Sequence, residues 1–289
     1  MSVPYPWTDE LIPLSLTPCS LCQPDDRKSC GACCGLYNYA DWQRPSLAAR
    51  LRRRTAGLRS LGRLDPPALR AFSAWVRATE PPGKLLETIY NCEYLGFVDP
   101  HERRVGCLLH PSLHDGRDLR DCSFYGADLC AGHFCLSYQK LTAAEKACVV
   151  LALDDWYLYG ICVTDVDLCK SFFAQASALI GAEPGPSVLA HPEVRGRAAE
   201  FFGLKISWPF RSPDGSRFGK YCLAEDEYRE ARIDYEAIDC AKSPYDAIFL
   251  SLASHFESAA ALRAAERIVR ERIEDFARSC LGVVPSFSR

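Results

Sequence analysis

Apolar residues recur at helical spacing along much of the chain. The longest stripe comes last: Leu262, Ala265, Val269, Ile273, Phe276 and Cys280 share one face of a long helix that Gly282 is expected to close. Earlier, Ser46 reads as the N-cap of a helix with leucines at 47, 51, 58 and 61. Asp65-Pro66-Pro67 opens a second, with Leu69, Phe72, Trp75 and Val76 on one face and Pro81-Pro82-Gly83 ending it. Thr142 and Glu145 form a capping box for a helix running through Ala147 to Tyr159. Thr164 or Asp165 caps the next, which carries Val166, Cys169, Phe172, Phe173 and Leu179. Tyr228, Ala231, Tyr235 and Ile238 repeat at spacings of three and four and predict another helix, and Ser243-Pro244 opens one more. Glu183-Pro-Gly-Pro186 is the best linker candidate.

Strict alternation is rarer and predicts two hairpins. Asn91 to Cys107 alternates on both sides of Asp99-Pro100-His101, and symmetric arms would set Cys92 almost opposite Cys107. Gly203–Phe210 and Arg217–Leu223 flank Pro213-Asp214-Gly215 as a second hairpin.

Two stretches follow neither period. Residues 19 to 35 hold Cys19-x-x-Cys22, then Cys30-x-x-Cys33-Cys34, with Gly31 and Gly35 permitting sharp turns. Residues 108 to 135 read as loop and carry His110, His114, Cys122, Cys130, His133 and Cys135. Ordered irregular chain of that length loses much entropy unless something cross-links it. Two sulfurs separated by two residues in a tight turn point the same way, so CxxC pairs suit a soft or borderline metal. The candidate ligands are Cys30, Cys33, Cys34, Cys92, Cys107, Cys130 and Cys135, with Cys19, Cys22 and Cys122 as further donors. At four thiols per tetrahedral site, ten candidates suggest two metal centres or one multinuclear centre. His110 or His133 could replace a thiolate. Cys148, Cys162, Cys169, Cys240 and Cys280 lie in or beside apolar helical runs and read as small buried hydrophobes, and Cys222 leans the same way.

Composition narrows the setting. A net charge of −3 argues against a protein built mainly to bind nucleic acid. Arg50, Arg52, Arg53, Arg54, Arg59 and Arg63 crowd one helix but read as its solvated face, because no aromatic residues interleave them. Sixteen cysteines in 289 residues fall short of a disulfide-dense secreted scaffold, the first residues show no secretory signal, and no apolar run could span a bilayer. The expectation is a cytoplasmic protein with reduced thiols, a metal ion as partner and no membrane. No GxGxxG, HExxH or GxSxG motif occurs. Asp154-Asp155, interrupting an apolar stretch, is the one carboxylate pair that could act as acid/base or support a ligand.

Ser29-Cys30-Gly-Ala-Cys33-Cys34, then Cys92-Glu-Tyr-Leu, Gly106-Cys107-Leu-Leu-His-Pro111, Asp121-Cys122 and the cysteines through Cys135 together resemble the YkgJ-type cysteine-cluster family, described as zinc- or iron-chelating domains. The family's CxxCxxCC-like opening is here Cys30-x-x-Cys33-Cys34, with Cys22 out of register. The resemblance covers residues 19 to 140 and implies a chelating domain. Some relatives look like flagellin lysine methylases, which implies an alternative: a metal-dependent, protein lysine methylase-like transferase with an open metal site.

The expected fold is α+β and mostly α. A cysteine-cluster region over 19–140, irregular, metal-stapled and containing a small hairpin and a helical insertion at 46–80, packs on a helical region over 141–289 with the second hairpin. The expected function is metal binding, with zinc, iron or an iron–sulfur cluster as cofactor.

Overall fold

The first helix, α1 (Arg44–Arg59), starts two residues before Ser46. Pro45 fits its first turn, where an N–H would have no intrahelical partner anyway; Ser46 instead donates its hydroxyl to Asp41. Leu47, Leu51 and Leu58 are buried, as the stripe requires, but so are Arg50 and Arg54, which corrects the reading of the arginines as a solvated face. α2 (Pro66–Thr79) begins as expected, with Asp65 accepting from the Ala68 N–H at 3.0 Å, and it buries Leu69, Phe72 and Val76.

β1 (Leu95–Phe97) and β2 (Val105–Cys107) form the first hairpin in antiparallel register, with Leu95 opposite Cys107 and Phe97 opposite Val105. Cys92 is therefore not across from Cys107. Asp99 gathers the N–H groups of His101 at 2.9 Å and Arg104 at 2.6 Å, which moves the turn towards the C-terminal side and shifts the pairing. The stretch after β2 is not all loop: short 3-10 turns at Pro111–Leu113 and Arg120–Cys122 precede α3 (Gly126–Gly132). Leu58, Leu69, Phe72, Val76, Tyr94, Leu108, Leu109 and Leu119 enclose one core with Cys92.

The computed structural model describes residues 21–213, 221–224 and 227–283, which divide into two compact units. The elements above, with the short segment Asp155–Gly160, make the first. That segment is held by tyrosines: Tyr159 donates to the Leu21 carbonyl at 2.8 Å, Tyr157 to that of Trp42 at 3.2 Å, and Tyr37 to that of Trp156 at 3.2 Å. Asp155 accepts from the N–H groups of Tyr157 (3.1 Å) and Leu158 (2.9 Å) and pairs with Arg44, so it breaks the expected 147–159 helix and starts a new one.

The second unit holds residues 136–154 and 161–283. Its helices are α4 (Leu136–Lys140), α5 (Ala143–Ala152), the end of α6 (Trp156–Val163), α7 (Val166–Ile180), α8 (Pro186–Leu189), α9 (Pro192–Phe202) and α10 (Leu204–Ser207). After β3 (Tyr221–Ala224) and β4 (Glu227–Glu230) come α11 (Asp246–Ser251) and α12 (Ala259–Val283). The Thr142–Glu145 capping box and the Asp165 cap are both present. Phe172 stacks on Phe201 at 4.1 Å and meets Phe202 and Phe276, and all six stripe residues of α12 are buried.

A second hairpin exists, but in another place. β3 pairs with β4, whereas Leu204–Ser207 is helical; the rest of the expected turn region, residues 214–220, lies outside the described residues. Tyr228 thus belongs to a strand and no helix spans 231–238, because ladder bonds claim the backbone just before it. Tyr235 is anchored elsewhere, donating to Asp246 at 2.7 Å. Among the described residues, no helix is long and apolar enough to cross a membrane.

Candidate metal centre

The first cysteines sit on a turn built by Asp25, whose carboxylate accepts from the N–H groups of Arg27 at 2.8 Å and Lys28 at 3.0 Å. The Cys30 N–H then donates to the Cys22 carbonyl at 2.8 Å, which brings these two cysteines side by side. Lys28 is 0% exposed, paired with Asp25 at 2.5 Å and set over the Tyr159 ring, so a buried cation lies on the same turn. Ser29 Oγ accepts from the Val105 N–H at 2.6 Å and Gln23 donates to the Val105 carbonyl at 2.8 Å, pinning the turn to β2. Beyond it, the Ala32 N–H points at Cys30 Sγ at 3.5 Å, the N–H···S arrangement of a metal knuckle. A 3-10 turn over Ala32–Cys34 ends at Gly35, whose φ of +79° only glycine takes without strain.

Cys34 and Cys92 meet through the backbone, the Cys92 N–H donating to the Cys34 carbonyl at 2.9 Å. Two buried polar side chains hold that approach. Arg54 donates to the Cys92 carbonyl at 2.9 Å, and Asn38 bonds the carbonyls of Leu86 (3.0 Å) and Ile89 (3.1 Å) and the Asn91 side chain (2.8 Å). Cys34, Cys107 and Cys122 pack against the same core that encloses Cys92.

Each of these thiols finds other thiols around it. Burial is the main cause that pushes Cys34 far up, and Cys92, Cys107, Cys22 and Cys130 add to it. Burial raises Cys92 to about 12, with Cys107 adding and Arg54 opposing. It raises Cys107 to about 11, with Cys130 adding while the Leu109 N–H and Arg120 oppose. Cys30 is raised by burial, then by Cys22 and Cys135. For Cys33 the first cause is a thiol hydrogen bond with Cys135, followed by burial, Cys30 and Cys22.

Among these thiols, Cys33 hydrogen-bonds to Cys135, the Cys30 backbone bonds that of Cys22, and the Cys92 backbone bonds that of Cys34. Cys122 faces Tyr94. Among the described residues, no three His, Cys, Asp or Glu side chains stand close enough to grip one ion. Protonated thiols pack as small apolar groups; the sulfur separation of about 3.8 Å in a tetrahedral site is imposed by the ion that displaces their protons.

The donor set otherwise fits a metal. The thiols cluster, Lys28, Arg54 and Arg120 supply positive charge nearby, and Asn91 Nδ2 is a buried donor without a hydrogen-bond partner, beside Cys92 in sequence. Cys19 lies outside the described residues. Among the described residues, no disulfide is present. Cys148, Cys162, Cys169 and Cys280 are buried in the second unit and Cys240 is half-buried; the side chain of Cys222 lies outside the description. His110 Nδ1 is engaged with Ser112 at 2.8 Å, and His133 is exposed at the end of α3.

Sequence reasoning missed Arg54, Asn38 and Lys28, the residues that place the thiols. The periodicity of α1 marks Arg54 only as polar, and isolated polar residues in irregular chain carry no pattern at all.

Set against protein-family models, curated proteins and solved structures, the chain matches none. The resemblance to the YkgJ-type family therefore rests on the ordered cysteines themselves.

Proposed function

We propose that the protein is a metal-binding cysteine-cluster protein. Its first unit would hold zinc or an iron–sulfur centre through Cys30, Cys33, Cys34, Cys92, Cys107, Cys130 and Cys135, with Cys19, Cys22 and Cys122 as further donors. One observation carries the reading: the nine described candidates all fall in one unit, and the buried thiols there lie near other thiols.

A bound metal would supply fixed cross-links, or one-electron chemistry if it is an iron–sulfur cluster. The residues of this chain do the rest. Arg54 holds the Cys92 carbonyl and Asn38 the segment before it, Gly35 lets the chain turn beside it, and Lys28 and Arg120 would set positive charge near sulfurs that become anionic on ligation. The reading makes this a cytoplasmic protein whose partner is a metal ion rather than a membrane or nucleic acid.

Elemental analysis of protein purified without oxygen or chelator tests it. At least one equivalent of zinc or iron per chain is expected, and less than one overturns the proposal. A colourless zinc protein and a brown protein with broad visible absorption separate the two chemistries.

A further inference from the structure

We propose that Cys33 and Cys135 form a redox-active dithiol, a modification site that closes reversibly to a disulfide on meeting a low-molecular-weight disulfide such as glutathione disulfide. On the metal-binding reading, closing the bond withdraws two candidate ligands, so oxidation and metal loading oppose each other. The bond itself does not depend on that reading.

The two thiols are in direct hydrogen-bonded contact, although Cys33 lies near the start of the first unit and Cys135 near its end. Sulfurs already in contact need only a small side-chain rotation to reach the S–S bond length of about 2.05 Å. Among the described residues, no three His, Cys, Asp or Glu side chains stand close enough to grip one ion, so the contact is that of a pair.

The pair is open to a reagent. Cys33 is exposed, and Cys135 follows Ala131, Gly132, His133 and Phe134, all of them exposed. A Cβ on Gly132 would meet nothing within 4 Å, which leaves that approach to Cys135 room to move. The cysteines next to Cys33 are otherwise engaged: the Ala32 N–H points at Cys30 Sγ at 3.5 Å, and Cys34 packs on the apolar core that encloses Cys92.

The reaction is a thiol–disulfide exchange in two steps. Cys33, the more exposed, gives up its proton and attacks one sulfur of glutathione disulfide, and the glutathione it releases takes up a proton. Cys135 then gives up its proton and attacks the Cys33 sulfur, displacing the second glutathione. Two protein S–H bonds and one S–S bond become one protein S–S bond and two glutathione S–H bonds, so the chain loses two electrons and glutathione gains them. Exposed disulfides are the labile, regulatory kind rather than the structural one.

Incubation of the full chain, freed of metal by chelator under argon, with glutathione disulfide tests the assignment. The readout is alkylation of the remaining thiols and mass spectrometry without reductant. Wild type is expected to gain one internal disulfide per chain, carried by linked peptides holding Cys33 and Cys135, and to return to the dithiol with dithiothreitol. C33S and C135S should close no internal bond, whereas C30S and C130S should close it as wild type does. An internal disulfide that persists in C33S or C135S overturns the inference, as does its loss in a folded C30S or C130S, or a wild type that carries only glutathione adducts or no modification. Should the serine variants fail to fold, fragmentation of the linked wild-type peptides decides, and a bond between any other pair overturns the inference. None of these outcomes depends on whether the purified protein carries metal, so the metal-binding reading stands or falls separately.

Discussion

Glu80 sits where three arginines of α1 converge, with Arg54 at 2.6 Å, Arg50 at 2.8 Å and Arg53 at 3.5 Å. Burial alone would raise its carboxyl, but the bonds and charges of Arg54 and Arg50 outweigh that and hold it below its ordinary value of 4.5. A carboxylate depressed on folding contributes stability above its unfolded value and loses it as the pH falls through the folded one. Wild type is therefore expected to lose stability from about pH 4.5 downwards. Glu80→Gln should cost about 3 kcal/mol at pH 7, because it leaves Arg54 buried at 2% exposure without its charge partner. The loss should shrink on acidification; denaturant unfolding from pH 3 to 7 checks both expectations, and an equal loss at every pH would show that charge is not what Glu80 contributes. Since Arg54 also holds the Cys92 carbonyl, this ion cluster is part of the thiol scaffold.

The turn over Ala32–Cys34 works only because Gly35 follows it. A Cβ there would lie 2.4 Å from the Tyr90 carbonyl oxygen and 2.7 Å from Asn91 Cα, both backbone atoms that cannot swing aside. Gly35→Ala is expected to lower stability by about 2 kcal/mol or more and to push residue 34 off residue 92. Thermal melts of the metal-free protein read the first effect, and a lower metal content per chain by elemental analysis reads the second; an unchanged content would mean that the Cys34–Cys92 contact does not position a ligand. A similar constraint acts inside α6, where a Cβ on Gly160 would fall 1.8 Å from the Tyr37 hydroxyl. Gly160→Ala should destabilise, and Tyr37→Phe should relieve part of that loss because the ring carbon beneath the hydroxyl, at 2.7 Å, still obstructs.

At this scale much was legible in the sequence. Asp65, Thr142, Asp165 and the α12 stripe act locally, so the chain itself spells them out. What escaped depends on partners. The hairpin register is set by Asp99 gathering two amides, and the 231–238 stretch has helical spacing but follows a strand. The hydrogen bond between the thiols of Cys33 and Cys135 likewise joins residues far apart in the chain that no local pattern connects.

The two units hold themselves together by different means, and that difference predicts what metal removal does. The second is built on Phe172, Phe201, Phe202 and Phe276 together with the buried stripe of α12, an apolar core of the usual kind that uses none of the candidate ligands. The first combines an apolar cluster with short strands and long irregular stretches, and most of its candidate cysteines lie outside regular helices and strands. Ordering such chain costs roughly 1–2 kcal/mol per residue, which thiol–metal bonds would help to offset. Hydrogen exchange measured with and without chelator should therefore show lost protection at residues 30–36, 92–95 and 107–109, while amides of α7, α9 and α12 exchange unchanged. Uniform loss across both sets would mean that the protein unfolds as one cooperative block, and no change in either would mean that the thiols close nothing. Between those outcomes, a selective response in the cysteine-bearing unit is what a fold cross-linked by metal requires, because removing the ion withdraws support only where sulfur had supplied it.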